Sequence, residues 1–139
     1  FNQGFATVEY MAAVFLDLAW HTLQAPTGLE AKAFESRCLE RIGLIPEIIV
    51  RYRSTNFQHI FGDNGYAAGY YSYIWSAVLD ADAFEAFQER GLFDRATAAS
   101  FREHVLSRRG AEDAMDLYRR FRGAEPRIEP LLRRKGMLD

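Results

Sequence analysis

The sequence predicts an all-α protein, a helical bundle of about five or six helices in a single domain over residues 1–139. Three observations support this fold class. Apolar residues recur at helical spacing in several long segments, and glycines or prolines separate these segments. The β-branched run at 48–50 has no second strand to pair with, so we expect an extended loop there. With 49% hydrophobic residues, the chain can bury a core.

The first predicted helix, residues 4–23, is apolar around more than half of its circumference, which predicts burial on several sides. Its polar remainder, Tyr10, Asp17 and His21, lies roughly on one face. Asp17 and His21 are four residues apart, so we expect a structural hydrogen bond between them. Glu9 borders the apolar arc and needs a partner.

The remaining helices are predicted between glycine and proline breaks. Ser54 is expected to cap a short turn over 57–60, and Pro126 and Pro130 to start a terminal turn. The tyrosine-rich helix is expected to continue or bend beyond its first part, through 80–82 and on to 89, before Gly91. The predicted ranges are 29–42, 66–79, 97–107 and 111–122.

Composition excludes several classes of function. A net charge of -2 gives no reason to expect nucleic acid or a membrane surface as a partner. The single Cys38 excludes an internal disulfide and suits a reducing cytoplasm. No apolar run approaches the roughly 18 residues of a spanning helix. Because the chain starts at Phe1 without methionine, we expect a fragment of a longer protein.

The most distinctive stretch is residues 57–79, in which His59 precedes a glycine-containing loop and four tyrosines. If a helix begins near Tyr66, then Tyr66, Tyr70 and Tyr73 fall within about 60° of each other. Tyr71 would belong to a separate packing stripe with Ile74, Trp75 and Val78. On pattern alone, an ordinary amphipathic core helix is the favoured interpretation of the stretch.

The sequence as a whole contains none of the common catalytic motifs discussed below. The histidines His21, His59 and His104 are too far apart for the H-E-x-x-H zinc motif, and no segment offers three metal ligands. No phosphate-binding loop or serine-nucleophile motif occurs. We therefore expect no metal site and no complete catalytic centre within the chain.

Residues 59–75, His-Ile-Phe-Gly-Asp-Asn-Gly-Tyr-Ala-Ala-Gly-Tyr-Tyr-Ser-Tyr-Ile-Trp, resemble the glycine–tyrosine loop and helix of the thimet oligopeptidase / oligopeptidase A family of zinc metallopeptidases. Three further stretches agree in order: 1–10, 78–84, and 118–126 through 130–132. The likeness is closest to the peptidyl-dipeptidase branch. It implies the C-terminal helical portion of a larger helical catalytic domain. The parent enzyme would release dipeptides from peptide C-termini, with zinc bound by upstream residues and none by this fragment.

The resemblance also implies roles for individual residues. Tyr66 and Tyr73 would donate hydrogen bonds to the transition state, while His59, Gly65 and Tyr70 would contribute to substrate binding. The implied partners are a peptide substrate and the upstream part of the same polypeptide. We also expect the fragment to self-associate through residues 1–23. The alternatives are an oligopeptidase that cuts internally in short peptides, and a non-enzymatic helical module that binds peptides.

Overall fold

The computed structural model describes residues 2–138 and confirms the all-α class: these residues contain helices, turns and loops but no strand. Short 3₁₀ turns occupy Ser54–Asn56 and Arg109–Ala111, and a π-helical turn occupies Arg102–Leu106. The α-helices are α1 Gln3–His21, α2 Ala31–Arg41, α3 Gln58–Phe61, α4 Ser72–Arg90, α5 Arg95–Phe101, α6 Ala114–Arg122 and α7 Glu129–Arg134. No helix within residues 2–138 combines the length and the apolar character needed to cross a membrane.

The chain divides into two compact units, Phe1–Tyr73 and Ile74–Asp139. The first two residues of α4 belong to the first unit and the rest of that helix to the second. A single domain over residues 1–139 stays a prediction.

Helix α1 is the centre of the first unit. One side of it packs Ala13 and Val14 against Phe57, Ile60 and Tyr70, and the other side contributes to a second apolar cluster. The members of that second cluster are Ala12, Leu16, Cys38 and Val50. The burial on several sides that the sequence predicted for this helix is confirmed for these two faces, whereas Phe5, Val8 and Phe15 of the predicted apolar arc are exposed.

The predicted polar partnerships in the first unit are also confirmed. Nδ1 of His21 lies 2.7 Å from Oδ1 of Asp17. Arg51 donates to Glu9 at 3.1 Å. Residues 44–52 form no strand and follow an irregular path, as expected.

A buried carboxylate organises the turn before α3. Glu35, only 2% exposed, accepts hydrogen bonds from the backbone N–H of Ser54 at 2.8 Å and from its hydroxyl at 3.1 Å. Arg53 donates to the other oxygen of the same carboxylate at 2.5 Å. Ser54 therefore lies inside a 3₁₀ turn and is held by Glu35, so its predicted role as a helix cap was wrong.

The second unit packs α7 against α4 through Val78, Ala81 and Leu131. Asp82 is fully buried on α4 and accepts a hydrogen bond from the hydroxyl of Tyr118 at 2.5 Å. Arg122 donates to the same carboxylate at 3.3 Å and to Glu89 at 2.9 Å. This ionic network ties α6 to α4 across 33 to 40 residues of sequence.

Two predicted boundaries in the second unit were wrong because side-chain caps determine where the helices begin. Asp94 accepts from the backbone N–H of Thr97 at 2.7 Å, and α5 starts at Arg95. Asp113 caps α6 in the same way, through Met115 at 2.9 Å and Asp116 at 3.1 Å. The predicted continuation of α4 is confirmed, since the helix runs without a break to Arg90.

The predicted start of the tyrosine helix at Tyr66 was wrong. Residues 67–71 form successive turns, and α4 begins only at Ser72. The physical reason is the backbone of Ala68, which has a positive φ of 55° that an α-helix does not accommodate.

Candidate active site

Four aromatic side chains come together in the first unit where α3, the turn over 67–71 and the start of α4 meet. The ring of His59 lies 4.5 Å from Tyr66, 5.5 Å from Tyr70 and 5.8 Å from Tyr73, measured between ring centres. The rings of Tyr66 and Tyr73 are nearly parallel, 6.0 Å apart with 7° between their planes. The structure thus gathers the histidine and three of the tyrosines that the sequence singled out.

The hydroxyl groups of this cluster are linked to one another. Nε2 of His59 lies 2.8 Å from the hydroxyl of Tyr73. A hydrogen bond with Tyr66 raises the pKa of Tyr73 to about 12, so this phenol keeps its proton at physiological pH. His59, Tyr66 and Tyr73 are all exposed. Two phenols and an imidazole therefore present hydrogen-bonding groups to solvent side by side.

Tyr70 differs from its neighbours because it is only 5% exposed. Its ring packs against Phe57 and Tyr10 in the core of the first unit. Burial raises the pKa of Tyr70, and a hydrogen bond with Arg51 partly offsets this effect. The structure thus gives Tyr70 a supporting position beneath His59 and Tyr73, and its contribution to substrate binding stays a prediction.

Tyr71, which the helical pattern assigned to the packing stripe, is 51% exposed. The assignment was wrong because Tyr71 lies in the turn before α4, where helical spacing does not apply. Trp75, from the same predicted stripe, is 44% exposed.

Gly65 lies in the loop between His59 and Tyr66, and its backbone N–H donates to Oδ1 of Asp63 at 2.7 Å. A Cβ atom at this position would lie 3.0 Å from that same oxygen, closer than such contacts normally allow. A side chain at Gly65 would therefore disturb the tight turn, while a direct substrate contact by its backbone stays a prediction.

Asp17 contributes to the site, although the sequence predicted no role for it there. Its carboxylate accepts hydrogen bonds from the backbone N–H of Ala68 at 3.0 Å and of Tyr70 at 2.9 Å. The sequence pattern placed Asp17 on one polar face with Tyr10 and His21. The helical spacing of polar residues could define that face of the helix, but it could not predict which distant turn the face would bind.

Within residues 2–138, no group of three histidine, cysteine, aspartate or glutamate side chains is arranged to hold a metal ion. The ring cluster itself offers phenol and imidazole hydrogen-bonding groups. Adjacent phenols of this kind can stabilise negative charge that develops on a substrate oxygen.

Comparison with known proteins gives a consistent result along the whole chain. It is 42% identical over 139 residues to the dipeptidyl carboxypeptidase of Escherichia coli (strain K12), an alignment that covers 99% of this chain and 20% of that protein. Oligopeptidase A of the same organism is 54% identical over 81 residues, 58% of this chain and 12% of that protein. A probable cytosolic oligopeptidase A of Arabidopsis thaliana is 38% identical over 143 residues.

The chain thus spans about a fifth of the length of the full-length relatives it matches. The family model described as peptidase family M3 matches residues 1–137, which is nearly the entire chain. The match includes the segment that carries His59, Tyr66 and Tyr73. This chain belongs to peptidase family M3.

Proposed function

We propose that this chain is the substrate-binding and transition-state-stabilising portion of a zinc peptidyl-dipeptidase, an enzyme that releases dipeptides from the C-termini of peptides. The observation that carries the proposal is the exposed pair of parallel phenols, Tyr66 and Tyr73, beside His59. Similarity to a dipeptidyl carboxypeptidase over 99% of the chain supports this reaction class.

The proposed role of the phenols follows from the chemistry of peptide hydrolysis. When water attacks the peptide carbonyl carbon, negative charge builds up on the carbonyl oxygen. A positioned O–H donor stabilises that oxygen more strongly in the transition state than in the bound peptide. Tyr66 and Tyr73 are suited to this because both are exposed, and the raised pKa keeps Tyr73 protonated.

His59 is the third member of the proposed site. Its imidazole lies against both phenols and bonds the hydroxyl of Tyr73 at 2.8 Å. We assign it to substrate contact and to orientation of the Tyr73 hydroxyl. Gly65 and Tyr70 are assigned to the shape of the substrate-binding surface, Gly65 through the tight turn and Tyr70 from beneath the exposed rings.

Among the residues that the structure describes, no group of three potential ligands fits a zinc site. The zinc ligands and the general base of the parent enzyme would therefore come from residues outside 1–139. The proposed partners are a peptide substrate and that other part of the same polypeptide. The buried, unpaired Cys38 is compatible with a reducing cytoplasm, the compartment that we propose.

An oligopeptidase that cuts internally is the second candidate, because the identity to oligopeptidase A reaches 54% over 81 residues. Peptides with free and with amidated C-termini distinguish the two activities. A peptidyl-dipeptidase requires the free terminal carboxylate, whereas an internally cutting enzyme hydrolyses both forms.

Steady-state kinetics of the zinc-loaded parent enzyme test the roles of the phenols. Tyr66→Phe and Tyr73→Phe each remove one donor and keep the ring. Loss of such a donor is expected to lower kcat by roughly 10²–10³-fold, about 2.7–4 kcal/mol. Because the interaction strengthens in the transition state, KM should change much less.

Tyr71→Phe is the matched control, since Tyr71 is exposed and lies outside the ring cluster that surrounds His59. It should retain near-parental kcat. If Tyr66→Phe and Tyr73→Phe both retained kcat at unchanged thermal stability, the phenols would have no part in the reaction and the proposal would fail.

A further inference from the structure

The hydrogen bonds within the turn between Tyr66 and α4 do not by themselves hold its backbone conformation. Ala68 adopts a φ of 55°, which L-residues with a Cβ atom rarely adopt. Within the turn, Gly69 N–H donates to Tyr66 at 2.8 Å and Ser72 N–H to Gly69 at 3.0 Å. A conformation of this kind persists only where the surrounding structure holds it.

Asp17 on α1 supplies the bonds that the turn lacks. Its Oδ1 accepts from the N–H of Ala68 at 3.0 Å and its Oδ2 from the N–H of Tyr70 at 2.9 Å. The carboxylate is fully buried, so water does not compete for these bonds. A single side chain therefore binds the residue with the unusual φ and the residue two positions later.

His21 completes the set of donors around this carboxylate. Its Nδ1 lies 2.7 Å from Oδ1 of Asp17 and 3.0 Å from the backbone carbonyl of the same residue. Both of these oxygens are acceptors, so Nδ1 must bear the proton. All three groups that face the carboxylate are thus N–H donors, an arrangement that an ionised carboxylate satisfies.

Tyr10 holds the other backbone group of the same residue. Its hydroxyl donates to the carbonyl oxygen of Tyr70 at 2.7 Å. At 100° per residue, Tyr10, Asp17 and His21 lie within about 40° of one another on α1. One polar face of this helix therefore fixes both the N–H and the C=O of Tyr70.

The two exposed phenols flank this clamped segment. Tyr66 comes two residues before Ala68, and Tyr73 comes three residues after Tyr70. Their nearly parallel rings depend on the path of the backbone between them. A Cβ at Gly69 would lie 3.3 Å from Cα and from the carbonyl oxygen of Tyr66, so the turn is also closely packed.

We propose that Asp17 is a positioning residue for the peptidase reaction, which fixes the separation and orientation of the Tyr66 and Tyr73 hydroxyls by clamping the turn between them. This inference rests on the function proposed above for those hydroxyls. Asp17 itself is buried beneath the turn and acts through the backbone of Ala68 and Tyr70.

The test is Asp17→Asn in the full-length, zinc-loaded enzyme. The carboxamide keeps the shape of the side chain but replaces one acceptor with an NH₂ group, which then faces an N–H donor. Amide exchange of Ala68 and Tyr70, followed by mass spectrometry, is expected to accelerate at least about 10-fold. kcat should fall about 10–100-fold, with KM within about threefold of the parent value, because misplaced donors weaken transition-state binding.

Glu35→Gln is the matched control. Glu35 is also a buried carboxylate in the first unit and also holds a turn, the one at Ser54, but it makes no hydrogen bond to residues 66–73. Glu35→Gln should lower thermal stability while leaving kcat and the exchange of Ala68 and Tyr70 unchanged. If both variants lowered kcat in proportion to their loss of stability, Asp17 would be merely structural and the inference would be overturned.

Tyr10→Phe provides a milder variant in case Asp17→Asn does not fold. It removes only the hydroxyl that bonds the Tyr70 carbonyl, and a smaller loss of kcat is expected at unchanged KM. Normal kcat in Tyr10→Phe together with an unfolded or fully active Asp17→Asn would overturn the inference. Failure of the proposed function can be distinguished from failure of this inference. If the proposed function is wrong, Tyr66→Phe and Tyr73→Phe keep their kcat, whatever the rate of amide exchange at Ala68 and Tyr70.

Discussion

At the scale of single residues, the feature with the clearest chemical consequence is the hydroxyl of Tyr73. A phenol must keep its proton to donate a hydrogen bond, and a pKa of about 12 ensures this over the whole physiological range. The main cause is the hydrogen bond with Tyr66, and burial contributes less. Of the two residues that we assign to one task, Tyr66 thus also controls the ionisation of Tyr73.

This dependence predicts a titration that can be measured directly. With ¹³Cζ-labelled tyrosine, the Tyr73 signal should still report the neutral phenol at pH 11, because its pKa lies near 12. In Tyr66→Phe the principal cause of the shift is removed, so the Tyr73 signal should move at lower pH. An unchanged titration midpoint in that variant would show that Tyr66 does not bond Tyr73 in solution.

At the scale of helices and turns, the sequence predicted most of what depends on local chemistry. Helices α2 and α4 were predicted with nearly correct C-terminal ends, since Gly43 and Gly91 adopt the positive φ that ends a helix. The polar face of α1 was also recognised. These features depend on residues that are neighbours along the chain.

The features that were missed depend on contacts between distant segments. The turn at 67–71 replaces a helical start because Asp17, more than fifty residues earlier, binds the N–H groups of Ala68 and Tyr70. The exposure of Tyr71 follows from that same turn. Of the proposed site, the sequence supplied the residues and the family resemblance, but not the clamp that arranges them.

The pairing of α6 with α4 gives a prediction about stability. Burial, and then the hydrogen bond to Asp82, raise the pKa of the Tyr118 hydroxyl. A group whose pKa is raised in the folded state contributes stability that is fully present below its unfolded pKa, roughly 10 for tyrosine, and is lost as pH rises through the folded pKa. The free energy of unfolding should therefore begin to fall above about pH 10.

Tyr118→Phe tests this contribution by urea denaturation followed by circular dichroism at pH 7, 9 and 10.5. The variant should be less stable at pH 7 by about 1.5–3 kcal/mol, the usual worth of a hydrogen bond to a charged group. The difference from the parent should shrink above about pH 10. Tyr71→Phe, at an exposed position, should change stability by less than about 0.5 kcal/mol. A difference for Tyr118→Phe that stays constant with pH would contradict the assignment.

At the scale of the whole chain, the proposed site would supply one part of a catalytic centre. The chain carries the proposed donors for the transition state, but no group of three potential ligands within residues 2–138 fits a zinc site. We therefore expect the 139-residue chain, prepared alone, to bind no zinc stoichiometrically and to hydrolyse no peptide. Metal analysis together with a quenched fluorescent peptide assay tests this expectation. One tightly bound zinc per chain with chelator-sensitive turnover would contradict it.

The isolated chain is expected to self-associate through an apolar surface of the first unit, within residues 1–23. Of these residues, Phe1 lies outside the part that the structure describes. On α1, Val8 is 43% exposed and Phe15 42% exposed. Together with Met11 and Ile45 they line an apolar groove of about 410 Å³. Covering an exposed apolar patch of this kind lowers the free energy. A second copy of the chain is therefore expected to occupy the α1 groove.

Light scattering over a range of concentrations should show a mass that rises above the 16.0 kDa of a single chain. The double variant Val8→Glu/Phe15→Glu should stay monomeric, since two carboxylates in the groove would have to be desolvated on association. Phe93→Glu is the control, because Phe93 is 94% exposed but belongs to the second unit and is not part of the α1 groove, so this change should leave association unchanged. A parent chain that stays at the monomer mass at high concentration would show that the α1 groove has no affinity for a second copy.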